Sequence, residues 1–162
     1  LDLVQTSECQ SLPMLQIVVS AMLTKCAKGS VQADKTERIL TPFAEQLFNQ
    51  LDSLKFVAYI GPEGYPTIIP AIQCQAADSR TLAFSPLAFK EELAPIAPGT
   101  EVAVFGLTMG MEDVLVRGTF HGFKRYRLTK LGTVRIEWVY NSMPPGHGQI
   151  YPQVELQPVT DF

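Results

Sequence analysis

The stretch FVAYIGPEGYPTIIP, residues 56–70, contains the complete pattern of a β-hairpin. Residues 56–60 are aromatic, β-branched or small and apolar, which predicts a strand. A Gly-Pro-Glu-Gly turn follows at 61–64, where the glycines tolerate a positive φ. The returning strand contains Pro66 and Pro70, and proline cannot donate to a strand ladder. We therefore expect part of this second strand to lie at a sheet edge.

The chain beyond this hairpin repeats the same kind of pattern. Four more strands, each bounded by Gly, Pro or polar turn residues, are predicted at 81–85, 101–107, 113–123 and 133–140. A short helix around Lys90 separates the third strand from the fourth, and the Pro- and Gly-rich tail holds one short extended piece at 154–156. Six short strands with hairpin-type turns predict a mainly β chain whose antiparallel sheet forms a small barrel or a sandwich.

Two helices are predicted ahead of the strands. Ser11 can cap the first, with Pro13 in its first turn, and residues 14–27 are apolar on most sides, so we expect this helix to be buried on the core or on a partner subunit. Thr41-Pro42 begins the second helix, whose apolar stripe is Phe43, Ala44, Leu47, Phe48 and Leu51. The polar segment between the helices divides the chain into an N-terminal helical extension, 1–33, and a barrel domain, 34–162.

Composition limits the classes of partner. Charged residues are 18% of the 162, against about 25% in an average soluble protein, while 46% are hydrophobic. This balance predicts an apolar patch covered by an oligomer interface or by a ligand. The net charge of −3 and the pI near 5.4 disfavour binding to nucleic acid or to an anionic membrane, because both need a basic field.

The cysteines and the apolar runs bear on location. An odd number of scattered cysteines fits no metal site and suits a reducing compartment, so we expect a cytoplasmic protein: Cys9, Cys26 and Cys74. The longest apolar run, 14–23, is half of the roughly 20 residues that a membrane span needs. The acidic Asp2 and Glu8 upstream of it argue against a secretory signal.

The sequence has no glycine-rich nucleotide loop, zinc-protease helix or serine-hydrolase elbow. Its two histidines are His121, on a strand pattern, and His147, in a Pro-Pro-Gly-His-Gly tail segment. Each could ligate haem iron, but neither has a supporting motif, and both positions are typical of ordinary strand and loop histidines.

The order of several short motifs resembles the pyridoxamine-phosphate-oxidase-like family of flavin-binding split barrels. The family's Gly-Pro-Asp-Gly-x-Pro turn is similar to residues 61–66, the Ser or Thr that ends its next strand to Ser85, and the Lys or Arg that begins its next helix to Lys90. Three later segments are also similar to the family, namely VRG at 116–118, YRL at 126–128 and RIEW at 135–138. The resemblance covers about residues 40–140.

This resemblance implies a six-stranded antiparallel split β-barrel that forms a homodimer and holds FMN in clefts at the dimer interface. The positions that match the family's cofactor contacts are Thr67, Ile68, Ile69, Ser85, Pro86, Lys90 and Trp138. Thr67, Ser85 and Lys90 fall on the phosphate side, where a cation or converging N–H and hydroxyl groups are needed. Trp138 matches an aromatic residue that touches the flavin from the second subunit.

The sequence also departs from the oxidases proper. Residues 139–146 contain no arginine where those enzymes carry an Arg-Leu-His-Asp-Arg run, and residues 67–70 carry no charge where their FMN-phosphate strand is basic. Pyridoxamine-phosphate oxidation is therefore disfavoured. The first hypothesis is an FMN-dependent oxidoreductase acting on a small molecule. The alternatives are a flavin- or haem-binding module without enzymatic activity, and an interaction domain whose cleft holds no cofactor.

Overall fold

The structure, a computed structural model, describes residues 11–31, 37–143 and 147–153. The helices are α1 (Met14–Ala27), a 3-10 turn (Lys28–Ser30), α2 (Pro42–Asn49) and α3 (Lys90–Leu93). The strands are β1 (Leu54–Ile60), β2 (Pro66–Pro70), β3 (Gln75–Ala76), β4 (Thr81–Phe84), β5 (Glu101–Leu107), β6 (Asp113–Tyr126), β7 (Thr129–Asn141) and β8 (Gly148–Tyr151).

The strands form one antiparallel sheet in the order β2-β1-β5-β6-β7-β4-β3. Strand β7 pairs with three other strands. It pairs with β6 along one edge, and with β4 and then β8 along the other. The edge position predicted for the proline-containing strand is confirmed, since β2 ends the sheet.

The predicted fold class, mainly β with antiparallel strands and flanking helices, is confirmed, but the sheet has eight strands where the sequence predicts six. The first addition, β3, is two residues long and too short to show an alternating pattern. The second, β8, lies in the Gly- and Pro-rich tail, where pairing with β7 and the packing of Ile150 and Tyr151 on the core replace the missing propensity. The extended piece predicted at 154–156 lies outside the described residues.

The core lies between the inner face of the sheet and α2. Alternate residues of β5 and β6 are buried, as period-two strands require, and Leu47 and Phe48 of α2 cover one opening. The predicted cap of α2 is present, because Thr41 accepts a hydrogen bond from the Ala44 N–H at 3.2 Å and Pro42 begins the helix.

Helix α1 spans the predicted residues, but two expectations about it are corrected. Its N-cap is Pro13, without a side-chain cap bond, so Ser11 does not cap it. Its buried stripe is narrow and made mostly of small or hydroxyl side chains: Ile17, Ser20, Ala21, Thr24 and Ala27. The larger apolar side chains point outward, with Leu15 79% and Met22 64% exposed. A helix on the barrel surface buries one side only, and this side lies so close to the barrel backbone that small residues fit best.

None of the helices in the described ranges combines the length and the apolarity needed to cross a membrane.

Candidate functional site

A cavity of about 420 Å³ opens on the outer face of the sheet. Strand register explains its position. Ile68, Ala58, Ala103, Arg117 and Trp138 form one row across β2, β1, β5, β6 and β7. The two alanines in the row leave a groove between Pro66 on β2 and Arg117 on β6 that is three strand spacings wide, or about 14 Å.

We call this cavity the aromatic end of the site. Its walls also include Tyr59, Ile60, Pro66, Glu101, Val102, Gly118 and Glu137. The volume falls in the range of small-molecule sites, about 300–1,000 Å³. An open, partly apolar groove with a few charged groups can hold a flat organic ligand.

Trp138 is held in place by two neighbours. The Arg117 guanidinium lies over its ring, 4.4 Å from the centroid, and the Tyr140 ring stacks parallel to it at 5.6 Å. Cation–π and stacking contacts of this kind restrict the rotamer of an exposed aromatic side chain. The indole therefore forms a fixed wall of the groove.

A bulge in the β6–β7 ladder places Arg117 opposite Trp138. The register shifts between Arg117 and Gly118. A Cβ at Gly118 would lie 1.9 Å from the Arg135 carbonyl oxygen, so only glycine allows the two backbones to approach this closely.

The charged groups of the aromatic end are Arg117, Glu101 and Glu137. Glu137 accepts a hydrogen bond from the Thr119 hydroxyl at 2.8 Å, which fixes one of the two carboxylates. Arg117 is the single cation among the lining residues, so it is the group that can balance negative charge on a ligand.

A second polar cluster lies at the far end of β4. The loop 85–89 follows this strand, and Ser85 is 2% exposed. Two hydroxyl oxygens of α1 accept hydrogen bonds from the loop. Thr24 Oγ1 accepts from the Ser85 N–H, and Ser20 Oγ accepts from the Ala88 N–H, both at 3.0 Å. We call residues 85–89 with Ser20 and Thr24 the hydroxyl end.

The floor of the hydroxyl end is a buried glutamine. Gln73 Nε2 donates to the carbonyl oxygens of Ser85, at 3.1 Å, and Ala88, at 3.4 Å. Its Oε1 is buried without a hydrogen-bond partner among the described residues. This amide therefore leaves an acceptor, and not a donor, beside the loop.

Lys55 holds the segment that carries Gln73. Its ammonium donates to the carbonyl oxygens of Ile72, at 2.9 Å, and Cys74, at 3.1 Å. Burial lowers the pKa of Lys55 to about 8, partly opposed by the neighbouring Cys74. Burial raises the pKa of the Cys74 thiol to about 12. Both groups are fully enclosed, so their role is structural.

The site residues predicted from sequence fall into two groups. Ile68 and Trp138 lie in the row that forms the aromatic end, and Thr67 lies beside it, paired with Tyr59. Ile69 is 2% exposed and belongs to the core, so only its backbone could reach a ligand.

Ser85, Pro86 and Lys90 lie at the hydroxyl end instead. Phe84 pairs with Gly132 on β7, six residues from Trp138, which separates the two ends by about 20 Å along the strand. Lys90 is exposed and begins a helix of only four residues, so the helix start expected to support a phosphate supplies little dipole field. Within one chain the two ends do not form one pocket.

Sequence reasoning missed Tyr59, Arg117, Ser20 and Thr24. Arg117 belongs to the VRG motif at 116–118, but its position beside Trp138 depends on the bulge. The small residues at 58 and 103, outward-facing positions of two predicted strands, were the signal for a groove. Ser20 and Thr24 meet their partners across 68 and 61 residues of sequence, and no local pattern reports such contacts.

The histidines lie away from the groove. His121 is exposed on β6, and the His147 ring contacts the Ser142 carbonyl at 3.1 Å. The described part of the chain contains no group of three or more His, Cys, Asp or Glu side chains placed to hold a metal.

Comparison with known proteins yields matches among solved structures. HupZ of Group A Streptococcus is 14% identical, over 67% of this chain and 98% of HupZ, with a TM-score of 0.50. A proposed pyridoxamine 5′-phosphate oxidase of Lactobacillus delbrueckii is 18% identical, over 65% and 96%, with a TM-score of 0.48. An F420 reductase is 14% identical, over 62% and 98%, with a TM-score of 0.45.

No model of a protein family matches the sequence, and no curated protein matches it. At 14% identity the likeness to HupZ, itself a split barrel, shows the fold alone. The chain therefore has the split-barrel fold of the pyridoxamine 5′-phosphate oxidase-like proteins, as the resemblance in its sequence predicts.

Proposed function

We propose that this chain is a flavin-binding split-barrel protein that works as a homodimer and transfers hydride or electrons to or from a small molecule. The observation that carries the proposal is the groove of the aromatic end, with two alanines as its floor and Trp138 and Arg117 as one wall. Its width and its flat, partly apolar surface fit a tricyclic ring.

The ring half of a flavin fits these residues better than the phosphate half does. The groove presents an indole, a phenol and apolar side chains, which suit an aromatic ring system. The hydroxyl end has its loop N–H groups already bonded to α1, so FMN itself stays a prediction.

A homodimer is supported by the outer face of the same strands. Phe56, Phe105, Leu115 and Tyr140 form a second cross-strand row next to the groove. An aromatic and aliphatic row on the outside of a sheet is typical of a face that another protein covers. A second copy on this face would also explain how two ends about 20 Å apart in one chain serve one ligand.

A bound flavin supplies the hydride and electron chemistry through its N5 atom. The residues of this chain position the ring and set its electrostatics. Trp138 provides a fixed contact surface, and Arg117 holds its cation against this indole ring in a groove that also contains the carboxylates of Glu101 and Glu137. No described side chain of the groove is assigned as a general acid or base.

The remaining hypotheses have less support. A haem module needs an iron ligand, and neither described histidine lines the groove. A flavin-binding protein without enzymatic activity uses the same groove and is separated from the oxidoreductase only by turnover. The expected cytoplasmic location stays a prediction. The division at residue 33 also stays a prediction.

The test is titration of the purified protein with riboflavin and FMN, followed by flavin fluorescence and by the two-band visible spectrum. Saturable binding of either flavin supports the proposal, whereas a protein that leaves both spectra unchanged contradicts it. For the dimer, Phe105→Asp should give the monomer mass in light scattering. The matched control Leu128→Asp, at a side chain 93% exposed on the β6–β7 turn, should leave the mass unchanged.

A further inference from the structure

The hydroxyl end uses its backbone N–H donors within the protein, whereas a phosphate ester needs such donors free. A phosphate is bound by converging N–H groups, hydroxyl donors and cations. Here the Ser85 and Ala88 N–H groups are bonded to Thr24 and Ser20, two side chains that are themselves fully buried. Thr24 is also committed as a donor, since its hydroxyl bonds to the Ser20 carbonyl at 2.8 Å.

The buried glutamine strengthens this argument. The amide of Gln73 uses its donor on the loop carbonyls and leaves Oε1 without a partner among the described residues. An unsatisfied buried oxygen attracts a donor and repels an anion. This oxygen is fully buried and contacts no ligand itself, but its partial negative charge disfavours an anion beside the loop.

The local charge points the same way. Lys90 is followed by Glu91 and Glu92 in the exposed helix α3, so the three residues carry one positive and two negative charges. The net negative charge of these three residues therefore disfavours a ligand with two negative charges.

We propose that the candidate site accepts a neutral flavin without a terminal phosphate, such as riboflavin, and that Ser20 and Thr24 are the residues that set this selection. The inference rests on the proposed function for the ring, and it adds the class of ligand. The two α1 hydroxyls occupy the N–H groups that a phosphate would otherwise use, and the buried Gln73 Oε1 adds partial negative charge beside the same loop.

The wild-type chain tests the selection directly. Its dissociation constants for riboflavin and FMN are measured by fluorescence quenching in one buffer. The dissociation constant for FMN should equal or exceed that for riboflavin, which means that FMN binds no more tightly. Binding of FMN about tenfold more tightly than riboflavin, the effect of one charge-assisted hydrogen bond to phosphate, overturns the proposal.

A variant tests the assigned residues. Ser20→Ala combined with Thr24→Val removes both acceptors from the loop N–H groups. The ratio of the FMN constant to the riboflavin constant should fall by about tenfold, because the freed N–H groups can then bind phosphate. The ratio is measured within one protein, so a general loss of stability cancels. The control Gln16→Ala, at an exposed position of the same helix, should keep the wild-type ratio. An unchanged ratio in the double variant contradicts the assignment.

Inorganic phosphate separates this inference from the proposed function. The backbone amide signals of Ser85 and Ala88 are followed by NMR during titration with phosphate against chloride at equal ionic strength. No specific shift is expected in the wild type, and a saturable shift overturns the inference even when no flavin binds. Failure of both flavins to bind contradicts the proposed function and the acceptance of riboflavin that rests on it, whereas silent amide signals in the same sample still support the exclusion of phosphate by Ser20 and Thr24.

Discussion

The aromatic end of the candidate site contains Trp138 of β7, and the hydroxyl end follows β4, the strand that pairs with β7, but the polar groups of the two ends differ in exposure. The aromatic end is an open groove whose fixed indole and guanidinium face outward. The hydroxyl end is closed, because α1 supplies hydrogen-bond acceptors to its loop and buries Ser85. The difference shows that two ends of one sheet can combine an open groove with a loop that a helix closes through hydrogen bonds.

The largest effect is expected at the bulge that shapes the aromatic end. Gly118→Ala places a methyl group 1.9 Å from the Arg135 carbonyl oxygen, so the two backbones must separate. We expect a loss of about 3 kcal/mol or more in the free energy of unfolding, measured by urea denaturation. Gly29→Ala is the control, since no atom lies within 4 Å of its added Cβ. Equal stability of the two variants would show that the close approach is unimportant.

Filling the groove should remove ligand binding with little loss of stability. Ala103→Leu puts a larger side chain on the floor of the aromatic end, between Ala58 and Arg117. Because the ring and the new side chain compete for one volume, we expect riboflavin affinity to fall at least about tenfold, or 1.4 kcal/mol. Fluorescence titration measures this change. Ala94→Leu, at an exposed position after α3, should bind as the wild type does. Full affinity in Ala103→Leu would place the ring elsewhere.

The pH dependence of stability reports on the support beneath the hydroxyl end. Burial lowers the pKa of Lys55 from 10.5 to about 8, so above pH 8 the unfolded chain binds more protons than the folded chain. The free energy of unfolding should therefore rise by about 1 kcal/mol between pH 8 and 9. Above pH 9.0 ionisation of Cys74 in the unfolded chain opposes the rise, because burial raises the pKa of this thiol to about 12 in the folded chain.

Urea denaturation at a series of pH values checks this rise. Lys55→Met should abolish it, whereas Lys130→Met, at an exposed lysine, should retain it. A rise that persists in Lys55→Met would assign it to another group.

The smallest effect is expected at the residue that the sequence marks as the phosphate ligand. Lys90 is exposed and lies beside two carboxylates, so its charge is screened by water and partly balanced. Lys90→Ala should change FMN affinity by less than about twofold. A loss of tenfold or more in the same titration would show that the hydroxyl end does bind phosphate.

The spacing of apolar residues and the positions of turn, cap and proline residues predict most of the fold. The alternation in β5 and β6, the Thr41-Pro42 start of α2 and the prolines of β2 each act over a few residues, so they are visible in the sequence. The two-residue β3 and the tail strand β8 are not visible, because long-range pairing and not propensity holds them.

The candidate site is only half predictable for the same reason. The similarity of residues 135–138 to the family identifies Trp138, and the similarity of residues 61–66 identifies the strand that carries Ile68. The groove between them requires the register of five strands and the bulge at Gly118. The closure by α1 requires contacts between residues more than 60 positions apart.

The triple pairing of β7 has a consequence for the order in which the protein takes shape during synthesis. Strand β4 at one end and strand β8 at the other both pair with β7, and β7 follows β1 to β6 in the sequence. Neither end of the candidate site can be completed before β7 is made, so the nascent chain keeps a sheet edge unpaired until then, as is common for folds dominated by distant contacts. Assembly of the candidate site and completion of the sheet are thus a single late event.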